Sequence, residues 1–263
     1  MKKRSNFLLN AYVACVLVFL ALPVAVVIPA AFSEDNNLAF PPKGFSLQWF
    51  EKAWNTQVFW DALYVSAAVA VLASLFSLIL GTLASFAIVR YRFRGRQFLE
   101  LLFMTPLVFP AIVLAVALVT VLGSLGLVRN FWGLVFAHTL LTVPYVIRTV
   151  GATLAEIEPS FEEAAATLGA NRLQTFFKVT LPLLRPGLIA GAVFSAIMSF
   201  DEFTVSLFLV GPGVMTLPLE IYFYTEFQMD PTVAAVSAML VLFTVVAVVL
   251  IERFIGLRKQ FNR

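Results

Sequence analysis

The sequence predicts an all-α fold, a polytopic membrane helix bundle, and three observations predict it. Of 263 residues, 61% are hydrophobic and 13% charged, whereas a soluble domain is nearer half apolar and a quarter charged. One core in a chain of this length cannot hide so much apolar surface from water. Six runs also reach the roughly 20 mostly apolar residues that a membrane helix needs. Finally, Lys and Arg are spread very unevenly between the segments that join those runs. Together these exclude a disordered chain, a nucleic-acid reader and an ordinary cytosolic enzyme.

The six runs fall at residues 8–32, 62–89, 98–122, 131–150, 188–210 and 231–255, read as one transmembrane domain over 1–263. Barrel strands alternate apolar and polar over roughly ten residues, and these runs are longer and apolar all round. Lys2, Lys3 and Arg4 precede the first run, as in a signal peptide. A signal core is only about 7–15 residues long, so this run is read as a retained span. Cys15, the single cysteine, sits within it, which leaves no intrachain disulfide and no cysteine cluster for a metal.

Basic residues set the orientation. With the N-terminus inside, Lys43, Lys52 and Arg129 are the external Lys and Arg residues, and the other fifteen of the 18 are cytoplasmic. The two ends hold Lys2, Lys3, Arg4, Arg253, Arg258, Lys259 and Arg263. Between the spans lie Arg90, Arg92, Arg94, Arg96, Arg148, Arg172, Lys178 and Arg185. Both termini are therefore expected in the cytoplasm. The external segment 33–61 carries Pro41, Pro42, Trp49, Trp54 and Trp60, with indoles suited to the interface or to packing a short helix. Tyr222, Tyr224 and Phe227, in an external loop without Lys or Arg, read as a further interfacial belt or, alternatively, as a contact for a substrate-loaded partner.

The cytoplasmic segment 151–187 is too long for a tight hairpin. Pro159, Ser160 and Glu163 predict a helix start with a capping box. Glu162 and Glu163 suit the first turn, Ala164, Ala165 and Ala166 propagate a helix, and Gly169 supplies a left-handed stop. A second helix is expected from Asn171 to Val179, ended by Leu181-Pro182. A short helix closed at both ends suits a docking element that a soluble partner grips.

These residues carry a resemblance. Glu163-Ala164-Ala165, then Gly169, Val179 and Leu181-Pro182, with Leu168, Ala170, Phe176 and Pro186-Gly187 in place, resemble the EAA motif of ATP-binding-cassette (ABC) importer permeases. That motif has Ile where Val179 stands. Span number and topology agree over nearly the whole chain. Arg90-Tyr91-Arg92-Phe93-Arg94-Gly95, Ser199-Phe200-Asp201-Glu202-Phe203, Gly211-Pro212 and Leu217-Pro218-Leu219 are similar to the spermidine/putrescine importer group, and to the second permease of such an operon. The resemblance implies a bacterial inner-membrane subunit that works by alternating access. Glu163, Ala164, Ala165, Leu168, Gly169 and Ala170 would couple it to a cytoplasmic ATPase dimer. The partners implied are a homologous permease and an external substrate-binding protein, with ATP and Mg held by the ATPase and no cofactor in this chain. The cargo implied is a polyamine, or alternatively another small amine or an amino acid.

Inside the membrane, Asp201 and Glu202 lie about two-thirds along the fifth run. An ionised carboxylate facing lipid is costly, so these acids should face a partner span or a wet cavity. With Ser199 they form the predicted substrate path. Placed on one helix, they would point about 100° apart and need not share a role. Gly187, Gly191, Ser195 and Ser199, each four apart, form a small-residue stripe for close helix packing. His138, the only histidine, lacks companions for a metal site and reads as a hydrogen-bonded packing residue. Pro144 is expected to kink its span, and Glu100 to pair with arginines 90–96. No Gly-x-x-x-x-Gly-Lys loop is present, so energy has to come from another subunit. An ion-coupled secondary transporter or channel using the two acids leaves the capped helix unexplained. A membrane enzyme lacks a catalytic set.

Overall fold

The computed structural model describes residues 2–255, Ala39 and Met229 excepted; Arg258, Lys259 and Arg263 of the charge count lie outside them. The described residues are helical apart from the segment 31–47, shorter connections and an isolated bridge between Gly211 and Val214. They form two compact units. One combines residues up to 59 with those from 221, and the other holds residues 60–220.

The first unit contains α1 (Lys2–Ala30), α2 (Gln48–Asn55) and α13 (Thr232–Ile255), with α1 and α2 both packing on α13. Residues 9–25 of α1 are exposed throughout, as suits a helix whose solvent is lipid. In α2, Trp49 and Ala53 are buried one turn apart, and the Trp49 indole N–H donates to the Ser33 carbonyl at 2.8 Å. The expectation that an external indole packs a short helix therefore holds for Trp49, while Trp54 is exposed. Lys52, also on α2, forms an ion pair with Asp230, which accepts the Tyr224 hydroxyl and the Thr232 amide. Tyr224 lies on α12 (Leu217–Phe227), buried against Phe59, whereas Phe227 is exposed.

The second unit is built on α3 (Gln57–Arg90), α6 (Phe131–Glu156) and α10 (Arg185–Phe200). By length and apolarity, α1, α3 and α6 each suffice to cross a membrane. The run 98–122 is not one straight helix. It forms α4 (Arg96–Val108) and α5 (Ala111–Ser124), bent by 107°. Pro110 has no N–H to donate and disfavours helical geometry at the residue before it. Phe109 is accordingly extended, at φ −75° and ψ 143°. The run 188–210 is likewise interrupted. After α10 the chain breaks over Asp201, Glu202 and Phe203, then resumes as α11 (Thr204–Leu209). α6 runs unbroken through Pro144 and continues to Glu156, past the expected end near 150.

α6 is the core of this unit, with Leu134, Ala137, Val146, Val150 and Leu154 fully buried. It packs on α10 and bonds to α3, which also bonds to α10. As expected from the stripe, Gly187, Gly191, Ser195 and Ser199 are the buried residues of α10. A Cβ on Gly187 would stand 2.9 Å from the Thr149 carbonyl oxygen, and one on Gly191 would stand 2.8 Å from Thr149 Oγ1. α3 adds a ladder of hydroxyls. Ser77 Oγ bonds the Thr139 carbonyl and Thr142 Oγ1, Ser85 Oγ donates to the Ile147 carbonyl, and Ser195 Oγ donates to Ser74 Oγ. Lipid supplies no hydrophobic drive between helices, so close backbones and such bonds, about 0.6 kcal/mol each, hold them together.

Two outcomes follow. Gly187→Leu should destabilise the protein by about 2 kcal/mol through overpacking, seen as a lower melting temperature in detergent. Gly123→Ala, whose methyl would meet only Val128 Cγ2 at 3.8 Å, should change it little. The Lys52–Asp230 pair makes a pH window. The hydrogen bond to Asp230, opposed by partial burial, raises Lys52 above its ordinary 10.5. Burial works against the Asp230 carboxylate, but the bonds from Lys52 and Thr232 prevail and lower it below its ordinary 3.8. The pair's contribution is then fully present between those two values. It fades as pH falls through the lowered Asp230 pKa, or rises through the raised Lys52 pKa. Melting curves of Lys52→Met against the parent should differ most within that window and converge outside it.

Candidate functional site

Two features carry chemistry. The first is the segment between α6 and α10. Ile157 and Glu158 leave the helix, and α7 (Ser160–Thr167) begins directly after Pro159. The predicted capping box between Ser160 and Glu163 does not form. The fixed φ of Pro159, −57°, starts the helix one residue early. Ser160 is already the first helical residue, and its hydroxyl donates to Glu158 Oε2 at 3.2 Å. The amides of Glu162 and Glu163 go to the Pro159 carbonyl instead, both at 3.0 Å.

The C-terminal stop is as predicted. Gly169 has φ +87°, its amide donates to the Ala166 carbonyl, and the Ala170 amide donates to the Ala165 carbonyl, both at 3.0 Å. This is the Schellman pattern. A capping box does occur at Asn171 and Gln174, with bonds of 2.9 and 3.0 Å, opening α8 (Arg172–Thr175). The chain does not stop at Leu181-Pro182. It passes through a π-helical turn, Phe176–Thr180, into α9 (Leu181–Leu183). Pro182 is tolerated there because it stands in the first turn, where an N–H is not required.

Glu163, Ala164, Leu168 and Gly169 are exposed, Leu168 by 89%, while Ala165 and Ala170 are half-buried. Glu162 points the other way. Its Oε1 lies 3.3 Å from Arg90 Nη2 and accepts the Thr180 hydroxyl at 3.2 Å. Arg90 Nη2 also donates to the Ile157 carbonyl at 3.0 Å. The last residue of α3 thereby grips both ends of the approach to α7. Sequence reading assigned the arginine partner to Glu100, but Glu100 is exposed and makes no ion pair among the described residues.

The second feature is a cavity of about 110 Å³ at the α4–α5 elbow. Pro106, Leu107, Ala111 and Leu114 are among its apolar lining residues, and His138, Thr142, Tyr145, Ser199 and Glu202 are its polar ones. Ser199 and Glu202 of the predicted path thus meet here. Asp201 does not line the cavity and is exposed. The two acids stand in a break rather than on a helix, because Glu202 Oε1 accepts the Val205 amide at 2.8 Å and caps α11. Irregular backbone at membrane depth is tolerated where it is buried in protein or lines a cavity. Sequence reading missed Thr142 and Tyr145; the proline pair at 106 and 110 was the available signal for an elbow.

The model of the inner membrane component of binding-protein-dependent transport systems matches residues 77–257, and the chain belongs to that family. It is a permease subunit of an ABC importer, a protein of the inner membrane and not an enzyme. It is 32% identical over 245 residues to the spermidine/putrescine transport system permease protein PotC of Haemophilus influenzae, covering 93% of this chain and 95% of that one. It is 29% identical to the putrescine transport system permease protein PotI of Escherichia coli K12, covering 84% and 81%. The fold matches a chain in the crystal structure of a bacterial alginate ABC transporter in complex with an alginate pentasaccharide-bound periplasmic protein. That match has a TM-score of 0.73, 18% identity and 96% of each chain covered.

If Arg90 and Glu162 act as a pair, their variants should be non-additive. Arg90→Gln and Glu162→Gln should each destabilise, since either leaves a half-buried charge unpaired, and the double variant should recover about 1 kcal/mol of the summed loss. Thermal melts of the four proteins check this.

Proposed function

We propose that this chain forms one side of the translocation path for a small organic cation, a polyamine such as putrescine or spermidine. The observation that carries the cargo is the 32% identity over 93% of the chain to a permease named for those two compounds. The cavity supports it. Glu202 is the one acidic residue among those that line it, beside the polar residues His138, Thr142, Tyr145 and Ser199, and a carboxylate lowers the electrostatic barrier to an ammonium group.

Orientation is read from the arginines, with both termini cytoplasmic and six spans. Three of the spans are α1, α3 and α6, and the bent pair α4–α5, α10 with α11, and α13 are read as the other three. Residues 151–187 then face the cytoplasm. The exposed Glu163, Ala164, Leu168 and Gly169, with Ala165 and Ala170 behind them, offer α7 to a separate ATPase dimer. A homologous permease completes the path, and an external binding protein delivers the cargo. Closure of the ATPases moves α7, and α6 and α10 carry that movement to the cavity, which opens alternately to either side.

Uptake of labelled putrescine and spermidine by vesicles holding the whole assembly tests this. ATP-dependent accumulation of either compound is expected. ATP turnover stimulated by the binding protein without polyamine uptake would reassign the cargo, and uptake without the ATPase would overturn the coupling. Gly169→Val, which meets no steric neighbour but forces a β-branched residue to φ +87°, should abolish uptake while leaving the protein in the membrane. Glu202→Gln should slow uptake more than Asp201→Asn, because only Glu202 lines the cavity.

A further inference from the structure

His138 is 1% exposed, and both of its ring nitrogens are engaged. Nδ1 lies 2.8 Å from Ser199 Oγ, and Nε2 lies 2.9 Å from Ser206 Oγ. Ser199 is in the last turn of α10 and Ser206 is in α11, so the ring spans the break at 201–203 from its place on α6. Both serines are buried. A neutral imidazole donates from one nitrogen and accepts at the other, so it serves the two hydroxyls at once. The Thr142 hydroxyl donates to the His138 carbonyl at 2.7 Å and fixes the ring's own helix turn.

Across the break itself the backbone link is weak. The Glu202 amide reaches the Ser199 carbonyl at 3.4 Å, near the limit for a bond. Glu202 is instead tied forward to α11 through the Val205 amide. Its carboxylate therefore follows α11, and the position of α11 relative to α10 decides where that carboxylate stands in the cavity. We propose that His138 is a positioning residue for Glu202: by bridging Ser199 and Ser206 it holds α10 and α11 at the angle that presents the Glu202 carboxylate to the cavity. This rests on the path reading of Glu202 given above.

The test has two readouts. In a Cys15→Ser background, Glu202→Cys is modified with a small thiol reagent in membranes, with and without His138→Phe. A change in rate of about tenfold is expected, the scale of a lost bridge of this kind. An unchanged rate would overturn the proposal whatever the cargo. In the second readout, His138→Phe should raise KM for putrescine uptake about as much as Glu202→Gln, with ATP turnover stimulated by the binding protein retained. The two changes together should add little. His138→Asn preserves the Nδ1 arm and His138→Gln the Nε2 arm, so each should restore part of the loss; no rescue by either would also overturn it. If Glu202→Gln leaves uptake unchanged while the thiol readout moves, the path reading fails and the positional role of His138 stands.

Discussion

The close approach of α6 and α10 is the constraint on which the second unit depends. Lipid is as apolar as leucine, so two helices gain nothing from merely being greasy. They gain from contact, and contact at this distance requires that one face carry almost no side chain. Gly187, Gly191, Ser195 and Ser199 supply that face. The serines of α3 complete the arrangement by bonding across to both helices. Because α6 and α10 flank residues 157–184, the same packing holds α7 at one end of the pair and the cavity at the other.

The second constraint is that every backbone group in the bilayer must find a partner. The chain departs from helix within its apolar runs at Phe109-Pro110 and at 201–203, and both departures border the cavity. Each is made tolerable locally. Pro110 has no amide to leave unpaired. Glu202 caps α11, and His138 ties the hydroxyls on either side of the break. A polar lining and an interrupted backbone thus come from the same few residues.

Much of this was legible in the sequence because it is periodic or local. The membrane class follows from run length, the Gly169 stop from the need for positive φ, and the α10 stripe from a spacing of four. His138 was read as a hydrogen-bonded packing residue and is one, and of the two places its indole suited, Trp49 takes the packing of a short helix. What escaped was either competition between neighbours or long-range pairing. Pro159 displaced the start of α7 and cancelled the capping box at Ser160, while the equally plain Asn171–Gln174 box went unread. Hydropathy cannot register the elbow, since prolines 106 and 110 hardly interrupt the apolar run. Nor can spacing reveal that Arg90 meets Glu162, 72 positions further on, or that Asp201 and Glu202 leave the helix and so part company.

The elbow also bears on how the chain is assembled. By rise per residue, α4 and α5 are each about 20 Å long, short of a hydrocarbon core of roughly 30 Å. The run they share, taken whole, is long enough to enter the bilayer as a single span. What holds the arms at their angle is packing of α4 on α6 and of α5 on α11. Both of those partners lie later in the chain, and synthesis proceeds from the N-terminus. The cavity wall is therefore finished only once the ribosome has passed α11, and a chain truncated before that point would keep the break at Pro110 without the packing that fixes its angle.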